Sequence, residues 1–120
     1  MPQLIESPSR IPVPGGKVID EYVGRASSST PEVSVAHMRA PAGWEEPAQT
    51  PEFDEVTLVL AGSVRVEHEG GTLEVAAGQA VLTLAGEWVR YSVGDSGAEY
   101  VAVCLPAFAP EMAHRDDEDE

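Results

Sequence analysis

Hydrophobic and polar positions alternate most cleanly between Ser63 and Val75. Val64, Val66, Leu73 and Val75 fall on one parity, and Arg65, Glu67, Thr72 and Glu74 on the other, with Glu69-Gly70-Gly71 between the two runs. A period of two puts each set on its own face of a pleated strand, and the glycine pair supplies the positive φ of a tight turn. The pattern predicts a hairpin. Upstream, Val33, Val35 and His37 alternate with Ser34, Ala36 and Met38, which predicts a strand ended by Pro41-Ala42-Gly43. Val56 to Ala61 is apolar apart from Thr57 and reads as a strand buried on both sides, turned by Gly62. Residues 79 to 84 and 87 to 93 read as strands around Ala85-Gly86, Gly94 to Gly97 as a loop, and residues 99 to 105 as the last strand.

The flanks differ from this regular centre. Pro12-Val13-Pro14-Gly15-Gly16 is a strong turn signal, with short strands expected at residues 3 to 6 and 18 to 23. Residues 44 to 54, acidic and proline-containing, read as a loop. Short strands about every ten residues imply an all-β sandwich or barrel in one domain. Helical periodicity is absent. The expected organisation is an N-terminal arm over residues 1–29, a barrel over 30–108 and an acidic, disordered tail over 109–120.

Charge narrows the classes of partner. The 120 residues carry 21 acids against 7 bases, a formal net charge of −14, and Lys17 is the sole lysine. Such a charge disfavours nucleic acid and anionic membranes, both polyanions. An acidic, lysine-poor surface also suits concentrated salt, which screens self-repulsion, so a halophilic or salt-tolerant source is expected. Cys104 is alone, in the apolar run 101 to 105, and reads as a buried, inert thiol in a reducing compartment. The N-terminus lacks the basic and long apolar regions of a signal peptide, and no apolar run reaches the roughly 20 residues of a membrane span. A cytoplasmic protein is expected.

Pro41-Ala42-Gly43, then Glu55 and Gly62 separated by six residues, then Gly78 followed by Leu84-Ala85-Gly86, resemble the two motifs of the cupin superfamily. The likeness covers roughly residues 30 to 105. It implies a double-stranded β-helix, a jelly-roll-like cupin barrel. It also implies a metal site of a His-x-His pair, the motif-one glutamate and a further histidine on the second motif. Here the paired positions fall on Gln49 and Pro51 or on Ala48 and Thr50, depending on register, and the last falls on Val89. Of the four ligands only Glu55 is carried over. Transition metals in such barrels are held mostly by neutral imidazole, so the expectation is a degenerate site with no tightly bound cofactor. The alternative is a divalent metal such as Fe, Mn, Ni or Zn held by Glu55, Gln49 and a recruited His37 or His114.

Glu55 is the leading candidate. A carboxylate at the start of a buried strand needs compensation, and desolvation would raise its pKa toward a general acid or base. Val89 and Tyr91 share a parity and are expected inside, Tyr91 as a packed hydroxyl or a proton donor. Trp44 and Trp88 are expected at the mouth, His37 inward, and Gln49 or Thr50 beside Glu55. His68 reads as a hairpin-end surface residue. Three functions follow from these candidates: a small-molecule-binding barrel without a histidine-based metal, a metal-dependent enzyme (isomerase, cyclase or dioxygenase), or a non-catalytic barrel. Small cupins commonly pair through an edge strand, so a homodimer through the N-terminal arm is expected.

Overall fold

A computed structural model describes residues 1–116 of the chain. Seven strands run in the order β1 (Ser9–Ile11), β2 (Val18–Val23), β3 (Ser34–Ala40), β4 (Asp54–His68), β5 (Gly71–Ala76), β6 (Ala80–Thr83) and β7 (Val89–Leu105), followed by the one-turn helix α1 (Pro110–Ala113). They form an antiparallel path β1-β2-β3-β7-β4-β5, with β6, off this path, paired to residues 55–58 of β4. This is the expected jelly-roll barrel.

Two long strands make the barrel by bending. Residues 54–62 of β4 pair with 98–105 of β7, and residues 64–68 of β4 pair with 89–93 of β7. The ladder slips at Gly62, and residues 94–97 have no partner in β4. Gly62, expected as a turn, is therefore a bulge inside one continuous strand. Its φ is +72°, and an added Cβ would lie 2.2 Å from the Gly97 carbonyl oxygen. Only glycine meets both demands, and such bulges bend a sheet back on itself. One half of the bent sheet carries β5, and the other carries β6, β3, β2 and β1.

The two halves fill the interior differently. In the β4–β5 half, Val64, Val66 and Val75 point in as their alternation predicts, and pack with Val59, Val89, Tyr91 and Tyr100. Leu73, on the same parity, stays half-exposed. In the other half the expected parity is inverted. Ser34, Ala36 and Met38 of β3 face the barrel interior, so Val35 and His37 lie on the opposite face. On β4, Thr57 and Val59 are buried while Leu58 and Leu60 are 41% and 46% exposed. The strand expected to be buried on both faces is buried on one. The reason is volume: small residues inside leave a cavity, and large apolar ones are displaced outward.

The flanks also differ from expectation. The first strand is Ser9–Ile11, not residues 3 to 6. Residues 44–49 lie antiparallel along β7, with Gln49 and Val89 exchanging backbone hydrogen bonds of 2.8 and 2.9 Å. Residues 109–116, expected within a disordered tail, pack onto the barrel. Ala113 is fully buried beside Phe53 and Cys104, and Phe53 meets Phe108 edge-to-face at 5.7 Å. Residues 112–116 then run beside 48–52, with Glu52 N–H donating to the Met112 carbonyl and Asp116 N–H to that of Ala48. The acidic run at 117–120 lies outside the described residues.

Candidate functional site

A cavity of about 510 Å³ opens into the half of the barrel walled by small residues. Its floor is mostly apolar or hydroxylic: Ala36, Met38, Thr57, Tyr91, Tyr100 and Ala102. Seven charged side chains line it: Glu21, Arg25 and Glu111, and a set whose charges act on one another, Lys17 just before β2, Glu46 from the segment along β7, Glu55 from β4, and Arg115 from the C-terminal run. Gln49 joins them. The backbone sets this convergence. The reciprocal bonds between Gln49 and Val89 fix the register of the preceding loop, and the bridge between Gln49 and Arg115 draws the C-terminal segment to the same edge. The register left open by the sequence is thereby settled, with Gln49 turned inward. The Thr50 N–H donates to the His114 carbonyl, and Thr50 does not reach the cavity.

The electrostatics follow from shielding. Glu55 opens on the cavity and is screened from bulk water by the barrel wall. Burial and the nearby Glu46 push its pKa up to about 7, against the opposing pull of Lys17 and Arg115. Burial likewise raises Glu46, offset in part by Lys17 and then Arg115. Lys17 is lowered by burial, with Glu46 and Glu55 acting the other way. Its ammonium lies 3.9 Å from the Trp44 ring centroid and 5.4 Å from that of Tyr100, within cation–π range. Tyr91 and Tyr100 are raised by burial and by the carboxylates, so both keep their protons at any ordinary pH. The Tyr91 hydroxyl and Thr83 Oγ1 are 3.1 Å apart. Tyr91 is thus a protonated, hydrogen-bonding group in the cavity wall. Cys104, cross-strand from Glu55, is also raised by burial and fits the inert thiol expected.

The remaining candidates divide. Trp44 packs against the core and reaches the site by covering Lys17. Val89 points inward but is 2% exposed in the core and does not line the cavity. Trp88 is on the outside, donating from Nε1 to Asp116 at 3.0 Å. His37 is turned away from the cavity, with Nε2 2.6 Å from Glu99 Oε2. The other two histidines are also engaged elsewhere. His114 pairs with Glu52 across the C-terminal segment, and His68 accepts from the Gly70 N–H at the hairpin end. The set Glu55, Gln49 and His37 is therefore not assembled. Among the described residues no three His, Cys, Asp or Glu side chains are placed to hold a metal ion. Oxygen donors beside an ammonium and a guanidinium do not fit the imidazole-based site of the resemblance.

Lys17, Arg115 and Tyr100 were not singled out as site residues by the sequence. Lys17 stood out only as the sole lysine, and Arg115 lies in a segment with no periodic pattern. Nothing in one sequence places either beside Glu55.

A bent antiparallel sheet closing round an interior cavity, with the glycine spacing above, defines a cupin barrel. Two solved cupins superpose well: a variant of oxalate decarboxylase from Bacillus subtilis, with a TM-score of 0.78 and 18% identity over 93% of this chain and 31% of that one, and KdgF from Halomonas sp., with 0.71 and 16% over 87% and 90%. Likeness at this identity is one of fold. Residues 35–119 match the AraC-like ligand binding domain, and the chain belongs to that family. It is also 50% identical over 105 residues to the endoribonuclease YbeY of Myxococcus xanthus, a match covering 87% of this chain and 36% of that protein. The chain thus spans about a third of the length of that curated relative. No helix among the described residues is long and apolar enough to cross a membrane.

Proposed function

We propose that this barrel binds a small organic molecule in the cavity and does so without a histidine-held metal. The observation that carries the reading is the set of mutually interacting charges Lys17, Glu46, Glu55 and Arg115 in a mostly apolar cavity of about 510 Å³. A few convergent polar groups in an apolar cavity of this size are the usual make-up of a ligand site. Membership of a ligand-binding family supports it. Tyr91 and Gln49 supply hydrogen bonds, Glu55 holds or passes a proton near neutral pH, and Met38 and Tyr100 cover apolar surface.

The ribonuclease activity in the relative's name belongs to a protein of which this chain matches 36%. A net charge of −14 opposes a polyanion here, and RNA is not the proposed ligand. Thermal-shift screening against small acids, sugars and aromatic metabolites tests the proposal. A true ligand at a hundred times its Kd adds about 2.7 kcal/mol of stability. The proposal expects at least one class to raise Tm in the parent and not in Glu55→Gln. No stabilising class at millimolar concentration favours a non-catalytic barrel instead.

A further inference from the structure

We propose that Lys17 captures its ligand covalently, as a reversible imine with a small aldehyde or ketone admitted to the barrel. The inference rests on the reading that the cavity takes a small organic molecule, and it names the class.

Three observations support it. Lys17 is the sole lysine of the chain, yet it lines the interior cavity rather than the solvent face where lysines ordinarily lie. Burial lowers its pKa against the pull of Glu46 and Glu55, and the Arg115 charge acts with burial, while the Trp44 and Tyr100 rings favour the ammonium. Desolvation and a neighbouring cation are the two ways proteins turn lysine into a nucleophile. Finally, Glu55 lines the same cavity and exchanges a proton near pH 7, which imine formation requires at two points.

The steps balance without an oxidant or reductant. The Nζ lone pair attacks the carbonyl carbon, and the carbonyl π pair moves to oxygen, which takes a proton from the Glu55 carboxyl. The nitrogen gives up a proton to the Glu55 carboxylate, leaving a neutral carbinolamine. Glu55 then protonates the hydroxyl, the nitrogen lone pair expels it as water, and the C–O bond is replaced by C=N. Loss of the iminium proton returns Glu55 to its acid form, so amine and carbonyl become imine and water. Hydrolysis by the reverse path releases the ligand.

The test is borohydride trapping. Untagged protein is incubated with benzaldehyde or pyruvate at pH 7, reduced with sodium borohydride and mapped by mass spectrometry. Two amines compete in each molecule, Lys17 and the N-terminus. An ordinary lysine sits about 2.5 pKa units above an α-amine, so it would hold roughly 300-fold less free amine at this pH. The proposal expects Lys17 to be labelled well above the roughly 300-fold deficit of an ordinary lysine against the N-terminus, and Glu55→Gln to slow the Lys17 adduct at least about tenfold while sparing the N-terminal one. Label on the N-terminus alone overturns it. If a probe raises Tm without borohydride yet leaves Lys17 unlabelled, the imine falls and the ligand-binding reading stands.

Discussion

Replacing Glu55 by Gln separates a buried acid strained by its surroundings from one that holds the fold together. The folded-state pKa is raised from 4.5 to about 7. Between those values the folded chain binds a proton that the unfolded chain has released, so stability falls as pH rises through this window. Below pH 4.5 both states are protonated and Glu55 contributes nothing. Above pH 7 the full penalty is present. At 1.36 kcal/mol per pKa unit the rise sets a ceiling of about 3–4 kcal/mol, and access of water to the cavity lowers this to about 2–3. Glutamine has nearly the same shape and no charge to strand. Glu55→Gln is therefore expected to match the parent near pH 4.5 and to exceed it by about 2–3 kcal/mol at pH 8, or roughly 10 °C in Tm for a chain of this size. Urea and thermal denaturation of both proteins across pH 4.5 to 8 measure the gap. A gap that does not vary with pH, or a parent more stable at pH 8, would refute the reasoning and make Glu55 a tethered anion.

Other outcomes follow from the same geometry. Gly62→Ala places a Cβ 2.2 Å from the Gly97 carbonyl at φ +72° and is expected to cost about 2 kcal/mol or more in chemical denaturation; a loss under ~0.5 would show that the bulge relaxes freely. With a charge of −14, Tm is expected to rise between dilute buffer and molar KCl, and a flat or falling trend would remove the salt-adapted reading. A homodimer is expected by sedimentation. Leu58, Leu60, Leu82 and Leu84 are exposed, so if this face rather than the β1 edge pairs, Leu58→Glu weakens association; a parent that stays monomeric at high micromolar concentration contradicts the dimer.

The barrel was legible in the sequence because its turns and bulge depend on local backbone chemistry. Gly62 and Gly78 both need positive φ, and glycine spacing records that directly. The hairpin of β4 and β5 was legible because its inner face is a packed core, where alternation and burial agree. The wall of the cavity was misread for a physical reason. Ser34, Ala36 and Thr57 face the ligand space because they are small, and Val35, Leu58 and Leu60 are left outside. Hydrophobicity names the inside of a solid core and the outside of a hollow one. That inversion also turned His37 the wrong way. Glu55 and Gln49 were found because the motif spacing points at them. Lys17 and Arg115 were not found because they reach the cavity from segments distant in sequence that carry no periodic pattern.

The central claim is a cup whose interior is set by Lys17, Glu46, Glu55 and Arg115 in place of an imidazole cage. Elemental analysis of protein purified without a histidine tag tests it most directly. The account predicts Fe, Mn, Ni and Zn each well below one atom per chain, unchanged by dialysis against chelator. One tightly held atom per chain, lost with ligand binding on chelation, would contradict it.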